Sequence, residues 1–184
     1  PLRVKTSYSF LKSLNDIKDI EFNGCLFKNI DFSDCRLKNI DFINCSFESC
    51  NLPNMDICEK LISRCEFINS SLVGFSVIES NLKDVSFYNS NISYMNMSSK
   101  LTNVSFTNSN MTGARLFENE FNNVIIDKCN LTDAEIYKTK LNNMDLSNSV
   151  LNGINADLES IKGVTTDLTG ICAIARLFNI NIKF

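Results

Sequence analysis

From Phe22 the chain places an apolar side chain at every fifth position as far as Met97: Phe27, Phe32, Leu37, Phe42, Phe47, Leu52, Ile57, Ile62, Phe67, Leu72, Val77, Leu82, Phe87 and Ile92 fill the stops between. The next stop would be Thr102, so the phase slips by one. From Leu101 it resumes through Phe106, Met111, Leu116, Phe121, Ile126, Leu131, Ile136, Leu141, Leu146 and Leu151. A period of five fits neither the roughly 3.6 residues of a helical turn nor the two of an ordinary strand.

The flanking positions explain the period. Two residues after most stops stands Asn, Asp or Gly, as at Gly24, Asn44, Asn54, Asn69, Asp84 and Gly113. These residue types tolerate positive φ and close tight turns. Two residues before each stop the side chain is usually small or apolar, as at Cys25, Ile40, Val85, Ser90 and Ala114. A corner every five residues makes the chain turn continually, and four corners close a square coil of about 20 residues whose neighbours stack at about 4.8 Å. The stops fill the axis and the slot two before packs beside them. The other three positions of each unit face water. Some seven coils predict an all-β rod on the order of 33 Å long.

The slip within "MNMSSKLTN" (95–103) reads as one shortened corner, since turns absorb missing residues most easily. Pro53 follows a stop directly, where a turn tolerates the absent amide. Lys60 and Asn119 fall in the small inward slot and read as local defects or loop-outs.

Composition narrows the functions. The 184 residues carry a net charge of −3, with ten Lys/Arg and twelve Asp/Glu up to residue 97 and eight and nine beyond it. No half is basic enough to hold nucleic acid by counterion release. No apolar run is long enough to span a membrane. The first residues lack the apolar core of a secretion signal, which predicts a cytoplasmic protein with reduced thiols. The sequence has no His, which removes Ser-His-Asp, Cys-His and most catalytic zinc arrangements. With no phosphate loop and no clustered carboxylate pair either, the chain reads as a non-enzyme needing no cofactor or metal.

Eight cysteines invite a different reading. However, Cys25, Cys35, Cys45, Cys50, Cys65 and Cys129 all occupy the small inward slot, and only Cys58 and Cys172 do not. In that slot Cys acts as a small buried hydrophobe. Cys25, Cys45 and Cys65 should stack on one face and Cys35 should point in from the opposite one, so four thiolates do not converge on a metal.

The units "SNLKD" (80–84), "CNLTD" (129–133), "SNMTG" (109–113) and "CSFES" (45–49) resemble those of the pentapeptide repeat proteins. That resemblance implies a right-handed quadrilateral parallel β-helix. Around it we expect three segments: an N-terminal cap over 1–16, the β-helix over 17–156, and a C-terminal module over 157–184. In the last segment Asp167 can cap a helix over 168–178, and "INIKF" (180–184) alternates like a short strand. The apolar area exceeds what one contact would cover, so Leu168, Ile171, Ile174, Ala175, Leu177, Phe178, Ile180 and Ile182 are the expected homodimer interface.

The order Leu158, Ile161, Gly163, Val164, Asp167, helix, then Asn179 to Ile182 is similar to the C-terminal module of Qnr-type and MfpA-type members. Those proteins dimerise through it, bind DNA gyrase and topoisomerase IV as duplex mimics, and confer fluoroquinolone resistance. The resemblance therefore implies a type II topoisomerase as partner. A duplex mimic needs regularly placed acids, and the candidates are Glu21, Asp31, Asp41, Asp56, Asp127, Asp133, Glu135 and Asp145. Glu21 and Asp41, 20 residues apart, should share a face that Asp31 opposes, and Asp127, Asp133 and Glu135 form the densest group after the slip. The net charge is small, and no loop insertion projects from the coils. A scaffold that binds an unrelated protein is the alternative.

Overall fold

The computed structural model describes residues 16–183, so the expected cap over 1–16 lies almost wholly outside it. The chain winds into a parallel β-solenoid of about seven turns, closed by a short pair of helices. Each coil has four faces. Face 1 begins at Phe22, face 2 at Phe27, face 3 at Phe32 and face 4 at Leu37, and each recurs one coil later. The register is 20 residues, as in Glu21↔Asp41, Phe47↔Phe67 and Ile57↔Val77. It falls to 19 across the slip, where Leu82 pairs with Leu101 and Phe87 with Phe106.

The stops form one continuous core. On face 2, Phe27, Phe47, Phe67, Phe87 and Phe106 stack ring on ring at 4.7, 4.7, 4.9 and 5.0 Å, within 15° of parallel. That spacing is the distance between β-strands, so the backbone register itself imposes the aromatic column. Ile126 and Leu146 continue it upward.

Corners use left-handed residues throughout, among them Asn44, Asn69, Asp84, Asn103 and Asn123, with φ between 51° and 54°. Those between faces 3 and 4 are β-turns, as where the Phe75 amide donates to the Leu72 carbonyl and the Ala114 amide to the Met111 carbonyl. Pro53 takes the second position of such a turn, the place that suits its fixed φ. The slip is one omitted corner. A single strand, Asn96–Thr107, runs straight through it, and no residue between Tyr94 and Asn103 has positive φ.

The small inward slot is not uniform, contrary to what the sequence suggested. Between faces 4 and 1 it holds a hydrogen-bonded ladder. The Lys60 amide donates to Ser80 Oγ, Ser80 N to Ser99 Oγ, Ser99 N to Asn119 Oδ1, Asn119 N to Thr139 Oγ1, and Thr139 N to Ser160 Oγ. Asn119 is therefore no loop-out: it is 6% exposed, and its amide donates to the Met97 carbonyl at 2.9 Å. Lys60 likewise keeps the register, as its backbone forms a rung. A second ladder runs between faces 2 and 3, where Cys50 N donates to Ser70 Oγ, Ser70 N to Ser90 Oγ, and Ser90 N to Ser109 Oγ.

Candidate functional site

The C-terminal module grows out of the first ladder. Asp157 caps helix α1 (Leu158–Ile161) by accepting from Ser160 N at 2.8 Å. It also accepts from Lys138 N in the coil below at 2.7 Å and from Ser160 Oγ at 3.0 Å. The bond from Lys138 N, foremost among these contacts, holds its carboxyl below the usual aspartate range. One side chain thus ends the repeat and starts the cap. No sequence signal marks the bond from Lys138 N, because that residue lies a coil away.

Asp167 caps helix α2 (Leu168–Leu177), matching the expected start, with bonds from Gly170 N at 2.8 Å and Thr169 Oγ1 at 2.7 Å. The Thr169 hydroxyl, followed by the Gly170 amide, lowers its pKa. Ala173 enters the core and Ile174 packs against it. On the other side Leu168, Ile171 and Phe178 are exposed, at 71%, 48% and 45%. Ile180 and Ile182 are exposed too, and Leu177 is half-buried. Ala175 departs from the expectation: it is buried and so belongs to the cap. The expected strand over 180–184 is not formed in the described residues. The Ile180 amide instead turns back to the Ala175 carbonyl at 3.1 Å.

The eight candidate acids are spread over all four faces. Glu21 and Asp41 do stack on face 1, and the Asp41 carboxylate accepts from Leu61 N at 2.7 Å. Their column continues through Leu61, Asn81 and Lys100, so the acidic row ends after two coils. Asp31 stands on face 3 and is followed by Asn51. Asp56 and Glu135 are on face 4, four coils apart. Asp133 turns a corner between faces 3 and 4 with φ 56°. Asp127 and Asp145 alone after the slip share a face, bordering a hollow of about 320 Å³ with Ile125 and Asn148. Asp127, Asp133 and Glu135 are neighbours in sequence but diverge in space, because five residues make a quarter-turn.

Opposite charges instead stack between adjacent coils. Among the described residues the ion pairs are Lys28–Glu48 at 2.6 Å, Lys100–Glu120 and Arg115–Glu135 at 3.5 Å, and Lys138–Glu118. Such exposed pairs add little stability, yet they cancel the field that a row of acids would build. A concavity of about 990 Å³ is an open groove whose wall includes Asn44, Arg64, Asp84 and Asn103.

All eight cysteines carry thiols rather than disulfides. Cys25, Cys45, Cys50, Cys65 and Cys129 are buried and Cys35 packs against the core, as expected of the inward slot, but they are more than hydrophobes. Cys65 Sγ donates to the Phe42 and Ser63 carbonyls at 3.3 and 3.4 Å, and Cys129 Sγ to those of Phe106 and Asp127. Ser90 Oγ makes the same two bonds, to Phe67 and Tyr88. Burial pushes the Cys129 thiol up to about 11, and its contact with Cys45, then burial, raises Cys65. Cys58 lies exposed on face 4, where desolvation and then the nearby Glu59, Asp56 and Glu79 carboxylates raise its pKa.

Comparison with known proteins agrees with this geometry. No curated protein matches the chain in sequence. Among solved structures, a trypsin-treated form of QnrB1, a plasmid-mediated fluoroquinolone resistance protein, aligns with a TM-score of 0.51. The identity is 16%, over 92% of this chain and 95% of that one. HetL, involved in heterocyst differentiation regulation in the cyanobacterium Nostoc sp. strain PCC 7120, aligns at 14% identity and a TM-score of 0.39, over 85% of this chain and 91% of its own. The family model "Pentapeptide repeat region" matches residues 40–116, and "Pentapeptide repeats (8 copies)" matches 20–59 and 120–153. Together with the five-residue corners and the square coil, the two family-model matches place the chain in the pentapeptide repeat family.

Proposed function

We propose that this chain is a non-enzymatic interaction rod, joined end to end into a homodimer, that binds a type II topoisomerase in the cytoplasm. The carrying observation is the apolar surface at the α2 end. Leu168, Ile171, Phe178, Ile180 and Ile182, all at the C-terminal end of the chain, are each at least 40% exposed, and clustered exposed apolar side chains mark interaction surfaces. A two-fold contact there doubles the rod. The thiols fit a reducing compartment. The topoisomerase as partner is supported by the order of residues in the C-terminal module and by the QnrB1-like rod.

A second reading has its own observation. The candidate acids lie on four faces, and elsewhere acids such as Glu48, Glu118 and Glu120 pair with cations between coils, which is unlike the continuous charge of a duplex. That favours a scaffold docking a protein through something other than DNA-like charge. A supercoiling assay with purified gyrase, with and without a quinolone, separates the two. Inhibition of supercoiling or relief of drug poisoning at micromolar rod is expected for the first. No effect on either leaves the second.

A further inference from the structure

Of the eight cysteines, only Cys25, Cys45 and Cys65 follow one another on adjacent coils. They fill the inward slot between faces 1 and 2 until Val85 takes it over. The coils are in step there: Leu26 pairs with Ser46 and Ser46 with Glu66. Ser46 N donates to the Cys25 carbonyl at 2.9 Å and Glu66 N to the Cys45 carbonyl at 3.0 Å. The three side chains are buried, at 4%, 2% and 0% exposure. The Cys45 thiol is in hydrogen-bond contact with the thiols of both neighbours.

Three thiols in a file do not surround a zinc ion, which takes four ligands in a tetrahedron. No group of three or more candidate ligands converges among the described residues. A soft univalent cation asks for less. Copper(I) prefers thiolate sulfur, and two sulfurs in line satisfy it. With each sulfur at about 2.3 Å, the length of a zinc–thiolate bond, such a pair spans about 4.6 Å. The solenoid provides that span, because its coils stack at about 4.8 Å. A disulfide suits the column less well. It needs Cβ atoms about 3.8 Å apart, and in-register strands hold them near the coil spacing.

The surroundings permit the exchange of protons for metal. The Cys45 thiol donates to the Phe22 and Ile43 carbonyls and the Cys65 thiol to those of Phe42 and Ser63. If those bonds are given up, the Ile43 and Ser63 carbonyls still accept from Gly24 N and Asn44 N, each at 2.9 Å. The bond from Cys65, ahead of the opposing effect of burial, lowers the pKa of Cys45 and so favours its thiolate. Cys25 and Cys45 also stand in the wall of the open groove of about 990 Å³, which gives an ion an approach from solvent. Two thiolates around one univalent cation carry one net negative charge. Arg64, in the same wall with its Nε bonded to Asn44 Oδ1, offsets that charge.

We infer that Cys25, Cys45 and Cys65 form a site for copper(I), held in line between the sulfurs of two adjacent coils with Cys45 as the shared ligand. Two S–H bonds break, two sulfur–copper bonds form, two protons leave to solvent, and no electron is transferred. Because Cys45 can pair with either neighbour, it is the ligand the site cannot lose. The inference does not depend on the topoisomerase reading.

The test is an anaerobic titration of the reduced full chain with copper(I) against a chromophoric copper(I) chelator. It compares wild type, Cys45→Ser, Cys25→Ser, Cys65→Ser and Cys58→Ser/Cys172→Ser. Wild type should withdraw one equivalent from the chelator, and its thermal unfolding midpoint should rise as it does so. Cys45→Ser should lose both effects. Its metal-free unfolding midpoint should stay at the wild-type value, which separates a lost ligand from a lost fold. Cys25→Ser and Cys65→Ser should each keep the equivalent through the remaining pair, and Cys58→Ser/Cys172→Ser should match wild type. Wild type that withdraws no copper overturns the site. So does binding that survives in Cys45→Ser and vanishes in Cys58→Ser/Cys172→Ser, which assigns the copper to the two cysteines outside the slot. Loss of two free thiols with no copper retained marks a disulfide and overturns it as well.

Discussion

Two columns of the same repeat slot do different work. Between faces 1 and 2 the slot reads Cys25, Cys45, Cys65, Val85, Val104 and Val124. Between faces 2 and 3 it reads Cys50, Ser70, Ser90, Ser109, Cys129 and Ser149. The valine stretch of the first fills volume beside the phenylalanine column. The second supplies a buried acceptor to the backbone N–H of the coil below and a donor to two carbonyls. Buried amides need partners, and a corner interrupts the sheet ladder that would otherwise provide them. Serine solves this in the second column. Cysteine occurs in both, because its thiol makes the hydroxyl's bonds while its sulfur packs as a hydrophobe.

The comparison can be broken from the polar side first. Asn119→Leu should be the most costly change, because it strips Ser99 N of its acceptor and the Met97 carbonyl of a donor. At about 1–3 kcal/mol for each buried group left unsatisfied, urea unfolding should show a loss of about 2–5 kcal/mol. Ser90→Val removes one such acceptor, from Ser70 N, and should cost about 1–3 kcal/mol. A Ser90→Val protein as stable as wild type would mean that the ladder contributes nothing. The reverse exchange, Val104→Ser, should cost less, about 1 kcal/mol, because it forfeits only apolar burial.

At the top of the ladder, Asp157→Ala should cost about 1 kcal/mol as a lost helix cap. The native pKa of Asp157 is depressed, as is that of Asp167. Their stabilisation is therefore complete above the unfolded aspartate value, near 4, and lost as pH falls through the lower folded value. Circular dichroism between about pH 5 and 2 should show the helices loosening on acidification, with no such loss toward alkaline pH. The smallest effect should be Cys45→Ser, within about 0.5 kcal/mol of wild type, since the serine hydroxyl can donate to the same two carbonyls, of Phe22 and Ile43.

Much of the fold is legible in the sequence. The stop at every fifth residue, the corner residues, the shortened corner near Ser98 and the cap at Asp167 follow from local chemistry. The ladders did not emerge, because reading every fifth residue averages over four corners. Every twentieth residue, Ser70, Ser90 and then Ser109 across the slip, separates them. The acids misled for the same reason: Asp127, Asp133 and Glu135 crowd a short segment but leave it in different directions. Glu21 and Asp41, judged by the coil length, were placed correctly on one face. Asp157 escaped notice because its role depends on Lys138 in the coil beneath, a contact no local pattern encodes.

The end-to-end rod is most directly tested by light scattering with small-angle X-ray scattering on the full chain. A dimer is predicted, with a longest dimension at least about twice the roughly 33 Å of seven stacked coils. Leu168→Glu/Ile171→Glu should return it to a single rod. A wild-type protein that stays monomeric at high concentration would contradict the account.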